Sequence, residues 1–216
     1  VEEAGVPAVP TPGTTVSAPK QDPPKAPKTG SSWLGLGKVA VFFILALIFG
    51  QIGVEALGAA LPGLIEKSFG DVTKMAEITI FASVTNIVGR TIGTIAVERF
   101  GIKKTYLGAT LLRVLSVSGL AALLATGTMT WPLMIVFYSL NGFLGGIAMT
   151  AEFSIPPAIY GSDQVKLEKF WTWQQTLLEI VGVTGPIVTG AVVASMGFLP
   201  ALVAFPLSFA VALLIM

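Results

Sequence analysis

Six long apolar stretches follow one another along the chain, at 39–62, 75–97, 105–126, 131–155, 170–194 and 198–216. Each meets or approaches the roughly 20 residues that a helix needs to cross a hydrocarbon core, so the pattern predicts six transmembrane helices. The links LPGLIEKSFGDVTK, ERFGIKK, TGTMT, PPAIYGSDQVKLEK and SMGFLP carry polar residues, Gly or Pro, and are too short for a further folded domain. Ahead of the first stretch, residues 1–37 hold half of the chain's fourteen prolines together with Lys20, Lys25 and Lys28. Such a segment buries too little apolar surface to offset its chain entropy. Two regions are therefore expected: a disordered, Pro-rich cytoplasmic tail over 1–37 and a six-helix bundle over 38–216. The polar tail and the uninterrupted apolar character after residue 60 exclude a signal peptide. The last stretch ends at Met216 without a charged anchor, which predicts a continuing chain.

Composition agrees. Apolar residues make up 53% of the chain and charged residues 12%, well below the share in a soluble domain, and the mean hydropathy is +0.81. A net charge of +1 leaves no basic excess for nucleic acid. The absence of Cys and His removes thiolate and imidazole metal sites, disulfides, cysteine and serine triads and histidine proton relays. No Asp lies within a span, and GLGK at Gly35–Lys38 lacks the spacing of a P-loop. No enzyme activity, cofactor, metal or ATP-driven step is expected. With the tail in the cytoplasm, that side carries Lys20, Lys25, Lys28, Lys38, Arg99, Lys103, Lys104, Lys166 and Lys169, against Lys67 and Lys74 outside. This bias predicts an inner or plasma membrane protein with a cytoplasmic N-terminus.

Five charges interrupt the spans: Glu55, Arg90, Arg113, Glu152 and Glu179. Each costs roughly 2.5–3.5 kcal/mol near a helix centre, so each is expected to face the bundle interior or a wet cavity. Gln51 with Glu55, Asn86 with Arg90, and Gln175 with Glu179 are four apart, and Tyr138, Asn141 and Gly145 follow a three-then-four step, so each set forms one polar stripe. Counted from the cytoplasmic helix ends, Arg90, Arg113 and Glu179 lie about 12–15 Å deep. Glu55 lies further out, and Glu152 is placed near the cytoplasmic interface. The expected cavity comprises Glu55, Asn86, Arg90, Arg113, Asn141, Gln175 and Glu179, with Glu179, Arg113 and Arg90 at its centre. Either Glu179 or Glu55 could carry a coupling proton, and a static packing pair is the alternative. The two arginines admit an anionic solute; proton-coupled export of an amphipathic one is equally open. GRTIG (Gly89, Gly93) and GFLGG (Gly142, Gly146) permit close helix approach, while Gly185-Pro186 loosens the fifth helix, as a pivot or a packing notch.

The link TIAVERFGIKK resembles the cytoplasmic loop signature of the major facilitator superfamily, roughly G-x-x-x-D-R-x-G-R-[RK]. Glu98 takes the acidic place, Arg99 the basic one and Gly101 the glycine, with Lys103 and Lys104 as trailing charges. Thr94 stands at the first glycine and Ile102 at a usual basic position. GPIVTG is similar to the Gly-Pro motif of the fifth helix in that superfamily. The fourth-helix arginine of its exporters has no counterpart, since Tyr138 stands there. The resemblance covers 38–216 and implies an all-α fold: a 3+3 inverted repeat forming the N-terminal half of a twelve-helix transporter. It further implies alternating access, a small-molecule substrate, a proton as a candidate coupling ion, lipid as surroundings, a missing C-terminal six-helix half, and a conformational latch at Glu98, Arg99, Gly101, Lys103 and Lys104. A six-helix channel or small oligomeric membrane protein, complete as given, is the competing expectation.

Overall fold

Each apolar stretch becomes one helix, and several helices run past it. The computed structural model describes residues 35–71 and 73–216. Its elements are α1 (Lys38–Phe69), α2 (Lys74–Phe100), α3 (Ile102–Ala125), α4 (Trp131–Tyr160), α5 (Gln164–Met196) and α6 (Phe198–Ile215). All six are long and apolar enough to cross a membrane, as in a multi-pass integral membrane protein. The tail expected over 1–37 lies outside the described residues except at 35–37. There Leu36 is fully buried in the bundle, so ordered packing starts before the compositional change at Lys38.

The overruns have local causes. α1 passes through Pro62 and stops at Gly70, whose left-handed φ of 65° lets its N–H reach the Glu66 carbonyl at 2.9 Å. α4 continues through Pro156 and Pro157 to Tyr160. α5 begins six residues before its apolar stretch, capped by Asp163. That carboxylate accepts from the Lys166 N–H at 3.2 Å and pairs with Lys166 Nζ at 2.7 Å. Only Gly101 separates α2 from α3. Its φ of 85° makes the sharp reversal possible, and Thr105 Oγ1 ties the turn by donating to the carbonyls of Ala96 and Gly101.

α4 packs on α2 and α3, α1 packs on α5 and α6, and α3 meets α6. The α2–α4 seam is the tightest. A Cβ on Gly146 would meet the backbone of α2 at Arg90 N (2.8 Å) and Gly89 C (3.0 Å), and one on Gly142 would meet the Ala82 carbonyl oxygen at 2.7 Å. The GxxxG patterns of α2 and α4 thus face each other backbone to backbone. Thr85 Oγ1 donates to the Ser139 carbonyl (2.9 Å), Asn86 Nδ2 to Gly142 (3.0 Å), and Thr150 Oγ1 back to Arg90 (3.2 Å).

Two apolar cores fill the bundle. One, around Leu61, Leu64, Ile65, Leu120, Met134, Leu202 and Phe205, lies toward the Phe69 end of α1. The other, around Leu36, Phe43, Ile44, Leu47, Ala151 and Phe170, lies toward the Lys38 end. The most apolar windows of α2 and α5 are 11% and 6% buried, against 44% for α1, so these two helices present the least covered faces.

Candidate functional site

Between the two apolar cores lies a polar level centred on Arg113, eleven residues into α3 and about 16 Å from its start. Arg113 is fixed on three sides. Its Nε donates to Asn141 Oδ1 of α4 at 3.2 Å, and its guanidinium lies over the α6 rings of Phe209 (4.7 Å to the centroid) and Phe205 (5.4 Å). Two cavities meet at this side chain. The larger, of about 490 Å³, lies between α2, α3 and α4 and is lined by Asn86, Arg90, Arg113, Tyr138, Asn141 and Gly145, among others. The smaller, of about 70 Å³, lies deeper, between α1, α3, α4, α5 and α6, where Gln51, Tyr106 and Glu152 join Arg113.

In the larger cavity a second guanidinium repeats the arrangement of the first: Arg90 Nε donates to Asn86 Oδ1 at 3.0 Å. The Asn86 amide is oriented by its own Nδ2, which donates to the Gly142 carbonyl across the α2–α4 seam. In the smaller cavity Glu152 Oε1 accepts from Gln174 Nε2 of α5 at 3.2 Å. Gln174 Oε1 is buried with no partner among the described residues. Arg113 and Glu152 share a cavity without reaching ion-pair distance; among the described residues the one ion pair is Lys166–Asp163. No group of acidic residues able to hold a metal ion occurs among the described residues.

No family model, curated protein or solved structure matches the chain.

Of the residues expected to form the cavity, Asn86, Arg90, Arg113 and Asn141 do converge. Glu179 and Gln175 do not join them. They are exposed on α5, bonded to each other at 2.8 Å. The face of α5 that turns inward carries Gln174 and Leu178, about 100° around the helix from Gln175 and Glu179. The i,i+4 stripe was real, but its neighbour on the helix wheel is the one that enters the bundle. Glu55 accepts from Gln51 Nε2 at 2.6 Å and lines neither cavity at Arg113. It lies against Gly185, where a Cβ would come within 2.7 Å of its own Cβ. α5 is helical through Gly185 and Pro186, and the missing side chain at Gly185 makes room for Glu55.

Glu152, placed near the interface by the sequence, is eight residues from the end of α4, about 12 Å in. The prolines that mark the end of the apolar stretch do not end the helix. Tyr106 and Gln174 had no charge to single them out. In the α2–α3 turn, Glu98, Arg99, Lys103 and Lys104 are all exposed. Arg99 lies over the Phe100 ring at 5.6 Å, and Gly101 is the pivot of the turn.

Proposed function

We propose that this chain is the N-terminal six-helix half of a secondary active transporter of the major facilitator type, moving a small solute by alternating access. The observation that carries this reading is the polar level at mid-depth. Two guanidinium groups line a cavity of about 490 Å³ with no carboxylate within ion-pair distance among the described residues. A static packing pair would bring the charges together, whereas charges that line a cavity fit a solute path.

Three further features support it. Exchanging α1–α3 with α4–α6 turns the pair α2–α4 into α5–α1 and α3–α4 into α6–α1, and leaves α3–α6 in place; these are the main packed pairs observed, as a 3+3 repeat requires. The open faces of α2 and α5 carry Arg90, Gln175 and Glu179, residues that favour a second bundle over lipid as their cover. Glu98, Arg99 and the lysines of the α2–α3 turn are free to meet such a bundle, as a latch would. The basic bias supports a cytoplasmic location for this turn and for both ends of the bundle.

Cysteine accessibility tests alternation without a known substrate, because the chain has no Cys. Ser83→Cys places a thiol at the larger cavity. In the full-length protein, with any cysteine of the remaining half replaced, adding Glu98→Ala should raise its labelling by an impermeant reagent from the cytoplasmic side and lower it from outside. Changes of the same sign on both sides would indicate a channel and overturn the reading.

A further inference from the structure

The larger cavity has a defined charge and a defined edge. Arg90 and Arg113 contribute its formal charges, and none of its lining residues is acidic. Each Arg has its Nε–H committed to an asparagine, at 3.0 Å for Arg90 and 3.2 Å for Arg113. Among the described residues no carboxylate lies within reach of the terminal Nη amines. Gly145 forms the wall between the two pairs. A Cβ there would sit 3.6 Å from both Arg113 Nε and Asn86 Nδ2, so the space in front of the guanidinium groups is kept open by the missing side chain. Tyr138 and Ser83 add hydroxyls to the lining. Glu152 stands behind Arg113, in the smaller cavity.

Arg113 is half-buried while Arg90 stands exposed on the open side of the cavity; a guanidinium drawn out of water without a counter-charge is costly, and an anion in front of it removes that cost. Arginine presents a planar fork that matches carboxylate or phosphate oxygens. Arg90 is ten residues from the end of α2, about 15 Å, which is too deep for the phosphate of a lipid headgroup. We infer that this cavity binds the oxyanion group, carboxylate or phosphate, of a small anionic solute through the Nη amines of Arg90 and Arg113. The substrate class thereby named rests on the transporter reading, but binding itself does not.

The full-length protein in phosphatidylcholine nanodiscs, at constant ionic strength, can be titrated with succinate, inorganic phosphate and nitrate, with chloride and glycerol as controls. A ligand that binds only the folded state stabilises it by RT ln(1 + [L]/Kd), so Tm climbs with the logarithm of ligand concentration once that exceeds Kd. At least one oxyanion should raise Tm with this logarithmic dependence while chloride and glycerol do not. Arg90→Gln and Arg113→Gln should each raise the anion concentration needed for a given shift about 10- to 100-fold, the effect of losing a charge-assisted hydrogen bond. Arg113→Lys keeps the charge but not the fork, and should fall between wild type and Arg113→Gln. Should the Arg variants fail to fold, Gly145→Leu keeps both arginines, fills the space before them, and should abolish the response. An equal response in the Arg90→Gln/Arg113→Gln double variant or in Gly145→Leu would overturn the site, as would no such rise in Tm with any oxyanion. If Ser83→Cys still alternates in that last case, the transporter reading stands and the anion site alone has failed. If oxyanions bind as described but Ser83→Cys labelling changes with the same sign on both sides, the site stands and the transporter reading fails.

Discussion

Gly146→Ala adds one methyl group at the tightest point of the bundle. The new carbon would meet Arg90 N at 2.8 Å and Gly89 C at 3.0 Å, as well as the Asn86 carbonyl oxygen, all of them backbone atoms of α2. No rotamer change relieves such a contact, so α2 must back away by roughly 0.5–1 Å to reach ordinary van der Waals spacing. Three hydrogen bonds span the seam, Thr85 to Ser139, Asn86 to Gly142 and Thr150 to Arg90, at 2.9, 3.0 and 3.2 Å. Interhelical bonds in membranes average about 0.6 kcal/mol, so weakening all three costs about 2 kcal/mol, and the lost backbone packing brings the total to about 2–4 kcal/mol. Gly108→Ala is the control, because nothing lies within 4 Å of a Cβ at that α3 position. It should be neutral or slightly stabilising through helix propensity. Reversible unfolding in mixed detergent micelles measures both variants against wild type. Equal midpoints for Gly146→Ala and Gly108→Ala would refute the seam as the element that fixes α2. Gly146→Ala should also weaken oxyanion stabilisation, since Arg90 rides on α2 and Arg113 does not.

Glu152→Gln should leave the protein folded and remove the pH dependence of transport in proteoliposomes. Among the described residues Glu152 is the only carboxyl that lines the smaller cavity, where it shares the lining with Arg113 and Tyr106 of α3; the described residues of α1, α5 and α6 contribute Gln51, Leu178 and Phe209 among others, with no charge. An unchanged pH profile would remove Glu152 from any coupling role. Single cysteines at Lys67 and Lys169 should be labelled by an impermeant reagent in intact cells at 67 and not at 169; the reverse result would invert the proposed orientation. The Asp163 carboxyl is held below the usual carboxylate range by the Lys166 side chain and, after it, by the Lys166 N–H. Its support of the α5 start is therefore present above that range and lost as pH falls through the lowered value. Asp163→Asn should lack the corresponding acid-side fall in Tm.

The number and order of the helices could be read directly, because six apolar stretches of near-spanning length admit little else. Their ends could not. Pro62, Pro156 and Pro157 read as stops, yet α1 and α4 pass through them, since a helix whose neighbours hold it survives the loss of a backbone donor. Spacing also identified one arginine–asparagine stripe. Asn86 and Arg90 are four apart on one helix, and their mutual bond follows from that alone. What spacing cannot give is the rotation of one helix against another. Gln175 and Glu179 form as regular a stripe as Asn86 and Arg90, but α5 turns Gln174 inward, and Glu152 enters the centre through a stretch of α4 that looked interfacial. Tyr106 and Gln174 carry no charge, so only their neighbours mark them out.

The α2–α4 seam also sets a condition on how the chain is made. α2 has the lowest hydropathy of the six helices, with a best window of 1.4, and it carries Arg90. The carbonyl that receives the Asn86 amide is 56 residues further along the chain. At the usual pace of synthesis, about 5–20 residues per second, that partner emerges roughly 3–11 s after Asn86. During this interval the least apolar helix has α1 and α3 beside it but not the helix that satisfies its polar face. Its stable residence in the bilayer is therefore settled only when α4 arrives, which makes α2 the helix whose insertion depends most on what the ribosome has yet to deliver.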